Sequence, residues 1–553
     1  MKTKMNSFLR LRFIMVNCFF LFTGSAFAVD LNSDSETYKN LVTVFQELRL
    51  LEQPTGKNGV PDFSVARMKN VNQQLHEYQK RFSAIDTSGW MLEQKIDYEL
   101  VRAEMNGLDF NIRVLKPWQR DPAYYVLLWT EQSDTPSHEG PVCHAAIELW
   151  EYAFPLSVDD EKKLAAQLKI IPLLLEQARI NLTGNARDLW VNGINNIKIQ
   201  ASDLDDLAKK TEGSGNEFHT ALTNAKNATI SFGEWLEEKL PSKNGPSGIG
   251  KENYTWYLRH VLLVPLSWEE EVSLLQREIA RAFASLELER HHNRNLPPLK
   301  AVSTPEEYNL LADQSVTHLM KFLKEQEILP VRDFMEPALR KHLGSFQAEE
   351  KRNFFSKMMH YDPLQLYTHA THWFDLARMN NDPHSSPIRR TALPYNIWVS
   401  RSEGLATGVE ELFMHSGLYD NNPRSKELVW VMLAFRCARG LASLYVHANE
   451  ISVQQAREYQ VEWTPAEWKI SDPKLIVFEQ QLYLRQPGYG PSYVTGKYLV
   501  ERLMKDRSRQ VGENFQIMNF FDEMYGAGMI PVSLIRWQLT GMNDEIRDIN
   551  KSK

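Results

Sequence analysis

Cysteine is almost absent from this chain. Only Cys18, Cys143 and Cys437 occur in 553 residues. Cys18 falls in an N-terminal apolar segment, which leaves two that are far apart in sequence. An oxidising compartment would permit one disulfide, but the reading adopted is two buried free thiols. A basic excess is lacking too. The chain carries 63 Lys and Arg against 70 Asp and Glu, a formal net charge of −7. Phosphate binding wants a basic face, so nucleic acid is not expected as a partner. Beyond the N-terminus no stretch reads as long and apolar enough to cross a bilayer. Convincing alternating strand runs are few, and there are no internal repeats or low-complexity tracts.

The N-terminus carries a recognisable signal. Lys2, Lys4, Arg10 and Arg12 precede the apolar run FIMVNCFFLFTG, and the small-residue site Ala26–Ala28 precedes Val29. This is the pattern of a cleavable secretory signal peptide over residues 1–28, so a periplasmic or secreted product is expected. Removing those four basic residues leaves 59 against 70 acidic ones, a net charge of −11. MVNC is a poor lipid-attachment motif, which favours a soluble product.

Helical periodicity dominates the remainder, so the expected fold class is mainly α. Residues 159–182 carry a helical apolar stripe, with Pro172 as a kink. Ser267 with Glu270, and Thr304 with Pro305 and Glu307, mark two helix starts. Asp362 and Pro363 open another, over 362–379, and Gly417 stops one that spans 401–417. Residues 424–450 read as a long core helix. The Pro/Gly/Ser segment 241–251 is the best linker candidate. Together with the length, it divides the mature chain into lobes 29–246 and 247–553.

HEGPVCH, residues 138–144, invites a zinc reading. The helical zinc motif needs histidines at i and i+4 so that both imidazoles share a face. Here the spacing is six, and Gly140 and Pro141 interrupt any helix. The segment reads better as a loop before a helix CHAAIELWEYAF. The back half is more promising. His369 and His372 stand at i, i+3, and both can reach one ion. Glu403 and Glu410 share a face of the next helix, and Glu403 would complete a three-ligand shell with an open position. With a second carboxylate, the same set would also suit iron or manganese. Arg436 and Arg439 share a face of the long helix, with His447 two turns beyond Arg439. Tyr489, Tyr493 and Lys497, in RQPGYGPSYVTGKY, are candidates to line a cleft.

In their order, these motifs resemble a bacterial family, the domain of unknown function 885, over about residues 247–540. The family's pattern is HE-x-x-PGH-x-x-[QD], then EGWA-x-x-x-E, a helix ending in histidine, and PGQA-x-[ST]Y-x-x-GK. SEGLATGVEEL aligns Glu403 with the metal-binding glutamate and Glu410 with the acid that follows. His447 falls at the later histidine. QPGYGPSYVTGK supplies Pro487, Gly488, Tyr493, Gly496 and Lys497. The resemblance implies a multi-helix, zincin-like metallopeptidase-type fold with two lobes around a cleft.

One departure matters. With His372 as the second histidine and Asp375 as the trailing acid, the HE pair falls on Leu366 and Tyr367. Ala370 and Thr371 replace the Pro-Gly turn, so the helix is expected to run straight through from Asp362. The resemblance then implies a rebuilt Zn²⁺ site of His369, His372 and Glu403. Glu410 would act as base, and Tyr493 as donor to a developing oxyanion. His447 joins them as a further catalytic candidate, with Tyr489, Lys497 and Arg439 for substrate. The substrate expected is a short peptide. The alternative is a non-catalytic homologue that binds a peptide or cell-envelope ligand.

Overall fold

The computed structural model describes residues 36–53, 56, 59–138, 140–469 and 474–551. The expected leader and its cleavage site lie outside the described residues. Nearly all regular structure is helical. The strands among the described residues are Leu128–Trp129 and Ile147–Glu148, paired in parallel.

Local chemistry accounts for many helix ends. Ser267 and Glu270 cap each other at the start of Trp268–His292, and Thr304 and Glu307 do so before Pro305–Glu325. The 159–182 stripe forms two helices, Val158–Leu168 and Ile170–Asn181. The break comes at Lys169 because Pro172 has no N–H to offer the Leu168 carbonyl. The helix expected over 143–154 does not form. Ile147 N–H instead donates to the Leu127 carbonyl (2.7 Å), which draws the segment into the small sheet.

Two large apolar cores and a small third cluster, of Ala186 and Leu189 with residues from Ala442 to Leu484, fill the described residues, and they do not divide at residue 246. Residues from Tyr38 to Leu115 pack with the back half, from Ile249 to Ile549. A second core gathers Phe63 with residues from Trp118 to Leu236. The 241–251 segment is no loose linker. Asp188 N–H donates to Ser247 Oγ (2.8 Å) and Gly250 N–H to the His447 carbonyl (2.8 Å). A Cβ on Gly248 would lie 2.3 Å from the Val446 carbonyl oxygen.

Four back-half helices carry the candidate residues. They are the histidine helix Thr371–Asn381, the glutamate helix Val399–His415, the arginine helix Ser425–His447 and the tyrosine helix Tyr489–Val511. The arginine helix is long and apolar enough to cross a membrane by composition, contrary to the sequence expectation. Its apolar surface is buried inside the protein, and that explains the composition.

The chain does not run straight from Asp362 into the histidine helix. A four-residue helix, Leu364–Tyr367, ends in a turn over 368–370, and Ala370 has ψ of 9°. Ala370 N–H bonds the Tyr367 carbonyl three residues back (3.2 Å), and Tyr367 Oη is tied to the Leu343 carbonyl (2.9 Å). These bonds keep a turn where the Pro-Gly pair is missing. His369 sits in that turn, and His372 in the first turn of the helix after it.

Candidate metal centre

The turn brings the two imidazoles edge to edge. His369 Nε2 and His372 Nε2 are 3.1 Å apart. Glu403 Oε2 lies 3.4 Å from the first and 3.3 Å from the second. The three atoms make a nearly equilateral triangle. A tetrahedral ion with bonds of about 2.0–2.1 Å has ligand–ligand edges of about 3.3–3.4 Å, so the spacing fits zinc. His369, His372 and Glu403 form the one group of three metal-ligating side chains among the described residues.

The surroundings fix which atoms face inward. His372 Nδ1 meets Ser402 Oγ at 2.8 Å, and His369 Nδ1 meets Glu410 Oε1 at 3.0 Å. With Nδ1–H donated outward in each ring, both Nε2 lone pairs turn to the triangle, as metal-binding histidines require. Glu403 Oε1 accepts from Tyr489 Oη (2.6 Å), while buried Oε2 faces only the two imidazole nitrogens, at 3.3–3.4 Å, with no well-formed hydrogen bond. A buried carboxylate oxygen with only long contacts is costly, and a cation inside the triangle would give it a close partner. Burial alone would raise the Glu403 pKa, but His372 and His369 outweigh it and hold the carboxyl well below its usual range. Burial opposes charge on His372, yet Glu403, with Asp134 and Asp375 further out, lifts its pKa to about 9.

Glu410 is held behind His369 and is not free to act as a base. Both its oxygens take hydrogen bonds from Arg436, and one also accepts from His369. Burial would raise its pKa, but Arg436 and His369 lower it. Asp375 is held in the same way by Arg401 behind His372.

The side chains of His372 and Glu403 are each 2% exposed, while His369 is 17% exposed. The open side faces a cavity of about 460 Å³ lined by Asp134, His342, Trp373, Arg436, Arg439 and Tyr493 among others. Arg439 lies 4.0 Å over the Tyr493 ring and donates to Glu479. The Tyr493 ring stacks on that of His369 at 6.0 Å.

Tyr489, Tyr493 and Arg439 therefore join the cavity, as expected. Two other candidates do not. His447 is buried against Tyr254, with Nε2 on the Tyr483 carbonyl (2.9 Å), and burial pushes its pKa down to about 4. Lys497, one turn beyond Tyr493, pairs with Glu411 and Glu501 and does not line the cavity. His138 is likewise elsewhere, on Glu148 (2.5 Å) and beside Trp129. With His144 it lines a separate cavity of about 290 Å³, and Glu139 lies outside the described residues. Cys143 and Cys437 are both free and buried. Asp134, Ser402 and Glu479 were not singled out from the sequence, whereas Arg436, which shares a helix face with Arg439, is a buried ion-pair partner of Glu410. Asp134 and Glu479 arrive from segments with no recognised motif, and a serine next to Glu403 carries no spacing signal of its own.

The fold and site together define a helical protein with a buried two-histidine, one-carboxylate cluster open to a cavity. Residues 372–539 match the family model described as a bacterial protein of unknown function (DUF885), so this part of the chain carries the family's signature. Two solved structures share the fold. One is described as a "putative lipoprotein of unknown function" from Shewanella oneidensis, with TM-score 0.66, 14% identity, and coverage of 91% of this chain and 98% of that one. The other is described as a "putative lipoprotein" from Colwellia psychrerythraea, with TM-score 0.62, 12% identity, and coverage of 94% of this chain and 99% of that one. No curated protein matches the chain in sequence.

Proposed function

We propose that this protein is an exported metal-dependent hydrolase of short peptides, zincin-like in its chemistry, with two lobes facing the cavity. The observation that carries the proposal is the buried triangle of His369 Nε2, His372 Nε2 and Glu403 Oε2, with edges of 3.1–3.4 Å. These three side chains would hold one Zn²⁺. When bound, such an ion polarises a carbonyl and makes a water molecule acidic near neutral pH. Glu410 and Ser402 fix the imidazoles, and Tyr489 fixes the carboxylate. Arg439 and Tyr493 form the wall against which a peptide would lie. Export is supported by the residue 1–28 leader pattern and by the description of the two structural neighbours.

A non-catalytic homologue is the second reading. It is favoured by Leu366 and Tyr367 standing where the resemblance places HE, with Tyr367 Oη spent on the Leu343 carbonyl. Elemental mass spectrometry of the exported chain, residues 29–553, purified without chelator, separates the two. About one equivalent of zinc, lost in Glu403→Gln, is the expected result. A protein that takes up no metal even after incubation with zinc is the non-catalytic one.

A further inference from the structure

The site as described has ligands but no base. Glu403 is used as a ligand, Glu410 is held by Arg436 and His369, and Asp375 by Arg401. The carboxylates that line the 460 Å³ cavity are Asp134 and Glu479. Glu479 is occupied on both oxygens, one taking Arg439 and the other Gln460 Nε2 (2.7 Å). That leaves Asp134, which comes from the front half of the chain. It shares the cavity wall with His369, His372, His342 and Trp373, and its charge acts on both His372 and His342.

The segment that carries Asp134 is held on both sides. Just before it, Leu128–Trp129 is paired with Ile147–Glu148. Thr135 Oγ1 donates to the Ser137 carbonyl (2.7 Å), and Ser137 Oγ to Asn396 Oδ1 (2.9 Å). Gly140 N–H donates to Gln486 Oε1 (2.6 Å), and Arg485 Nη2 to the Pro141 carbonyl (2.8 Å). Asn396 lies just before the glutamate helix, and Arg485 and Gln486 just before the tyrosine helix, so this front-half segment is fastened to the N-terminal ends of two helices that carry the site. These bonds fix the backbone around Asp134 against the helices of the back half.

We propose that Asp134 is the general base of this site, supplied by the front half in place of the missing glutamate beside the histidines. The inference rests on the metal-hydrolase reading above. Asp134 takes a proton from a water whose oxygen bonds to the peptide carbonyl carbon. The C–N bond then breaks, and the amine nitrogen leaves with the proton that Asp134 returns. The water's second hydrogen stays with the new carboxylic acid. The same placement explains why the back half alone shows no base: residue 134 reaches the cavity wall from the front half of the chain.

The test uses acetohydroxamate, which grips zinc through two oxygens and gives a proton to a neighbouring carboxylate. Zinc content and hydroxamate affinity are measured on the zinc-loaded full mature chain, wild type, Asp134→Asn and Asp134→Glu. Asp134→Asn is expected to keep its zinc, bind hydroxamate at least about tenfold more weakly and lose about 10²–10⁴-fold in any peptide hydrolysis. Asp134→Glu is expected to recover part of the affinity. Equal zinc with hydroxamate affinity within twofold of wild type overturns the role of Asp134 and leaves the metal site standing. A wild-type chain that binds no zinc overturns the metal reading itself, and this inference with it.

Discussion

Gly404 and Gly496 occupy the space that each other's side chain would need. A Cβ on Gly404 would lie 2.2 Å from the Gly496 carbonyl carbon, and one on Gly496 would lie 2.1 Å from the Ser400 carbonyl oxygen and 2.7 Å from Gly404 Cα. The glutamate and tyrosine helices meet backbone to backbone here. The contact sets Glu403 within reach of Tyr489, at 2.6 Å.

Gly404→Ala should therefore cost about 3 kcal/mol or more, since the clash is with backbone and no side chain can move aside. Chemical denaturation of wild type and variant measures it. Zinc uptake should fall in the same variant. A midpoint equal to wild type would mean that the helices separate without cost.

The ligand set and the HEGPVCH segment make opposite predictions. His372→Ala should abolish stoichiometric metal with little change in far-ultraviolet circular dichroism. His138→Ala should leave metal content unchanged, because its imidazole is engaged by Glu148 in another part of the fold. Metal retained in the first variant or lost in the second would reassign the site.

Glu410→Gln should weaken metal binding by about 10–100-fold without abolishing it, the usual effect of removing a partner that orients a ligand. It should also destabilise the fold by about 3 kcal/mol, because Arg436 then keeps a buried charge with its carboxylate gone. Competition with a zinc indicator measures the first effect and urea denaturation the second. Loss of activity at unchanged metal affinity would instead restore Glu410 as a direct participant in catalysis.

Glu271 gives a prediction about pH. Burial pushes its pKa up to about 7, against the lowering effect of hydrogen bonds from Tyr254 and Thr495. A carboxyl with a raised folded pKa binds its proton more tightly in the folded state. Its contribution therefore favours the fold below the unfolded value of 4.5 and declines as pH rises to about 7. The full decline is at most about 3 kcal/mol. Glu271→Gln should flatten this part of the curve, seen as a smaller difference in urea midpoint between pH 4.5 and pH 7.5. Identical slopes in the two proteins would exclude the buried proton.

Much of the helical framework was legible from the residues alone. Capping pairs such as Ser267–Glu270 and Thr304–Glu307 act within one turn, so their effect does not depend on the rest of the chain. The turn at 368–370 was not legible. Ala370 and Thr371 permit a helix, and tertiary bonds such as that from Tyr367 to the Leu343 carbonyl help hold the turn. Composition also misled at Ser425–His447, where apolarity reflects burial on all sides and not a lipid surroundings.

The candidate site divides along the same physical line. Spacing by itself determined that His369 and His372 share a side, since residues three apart align in a helix or a tight turn, and it singled out Glu403. Tertiary structure decided the rest. It turned Glu410 from an apparent base into the partner of Arg436, and it placed His447 and Lys497 away from the cavity. It also carried Asp134 across more than two hundred residues of chain to the open side of the triangle. A local spacing is written in the backbone geometry of a few residues. A contact between distant segments exists only once both cores have packed.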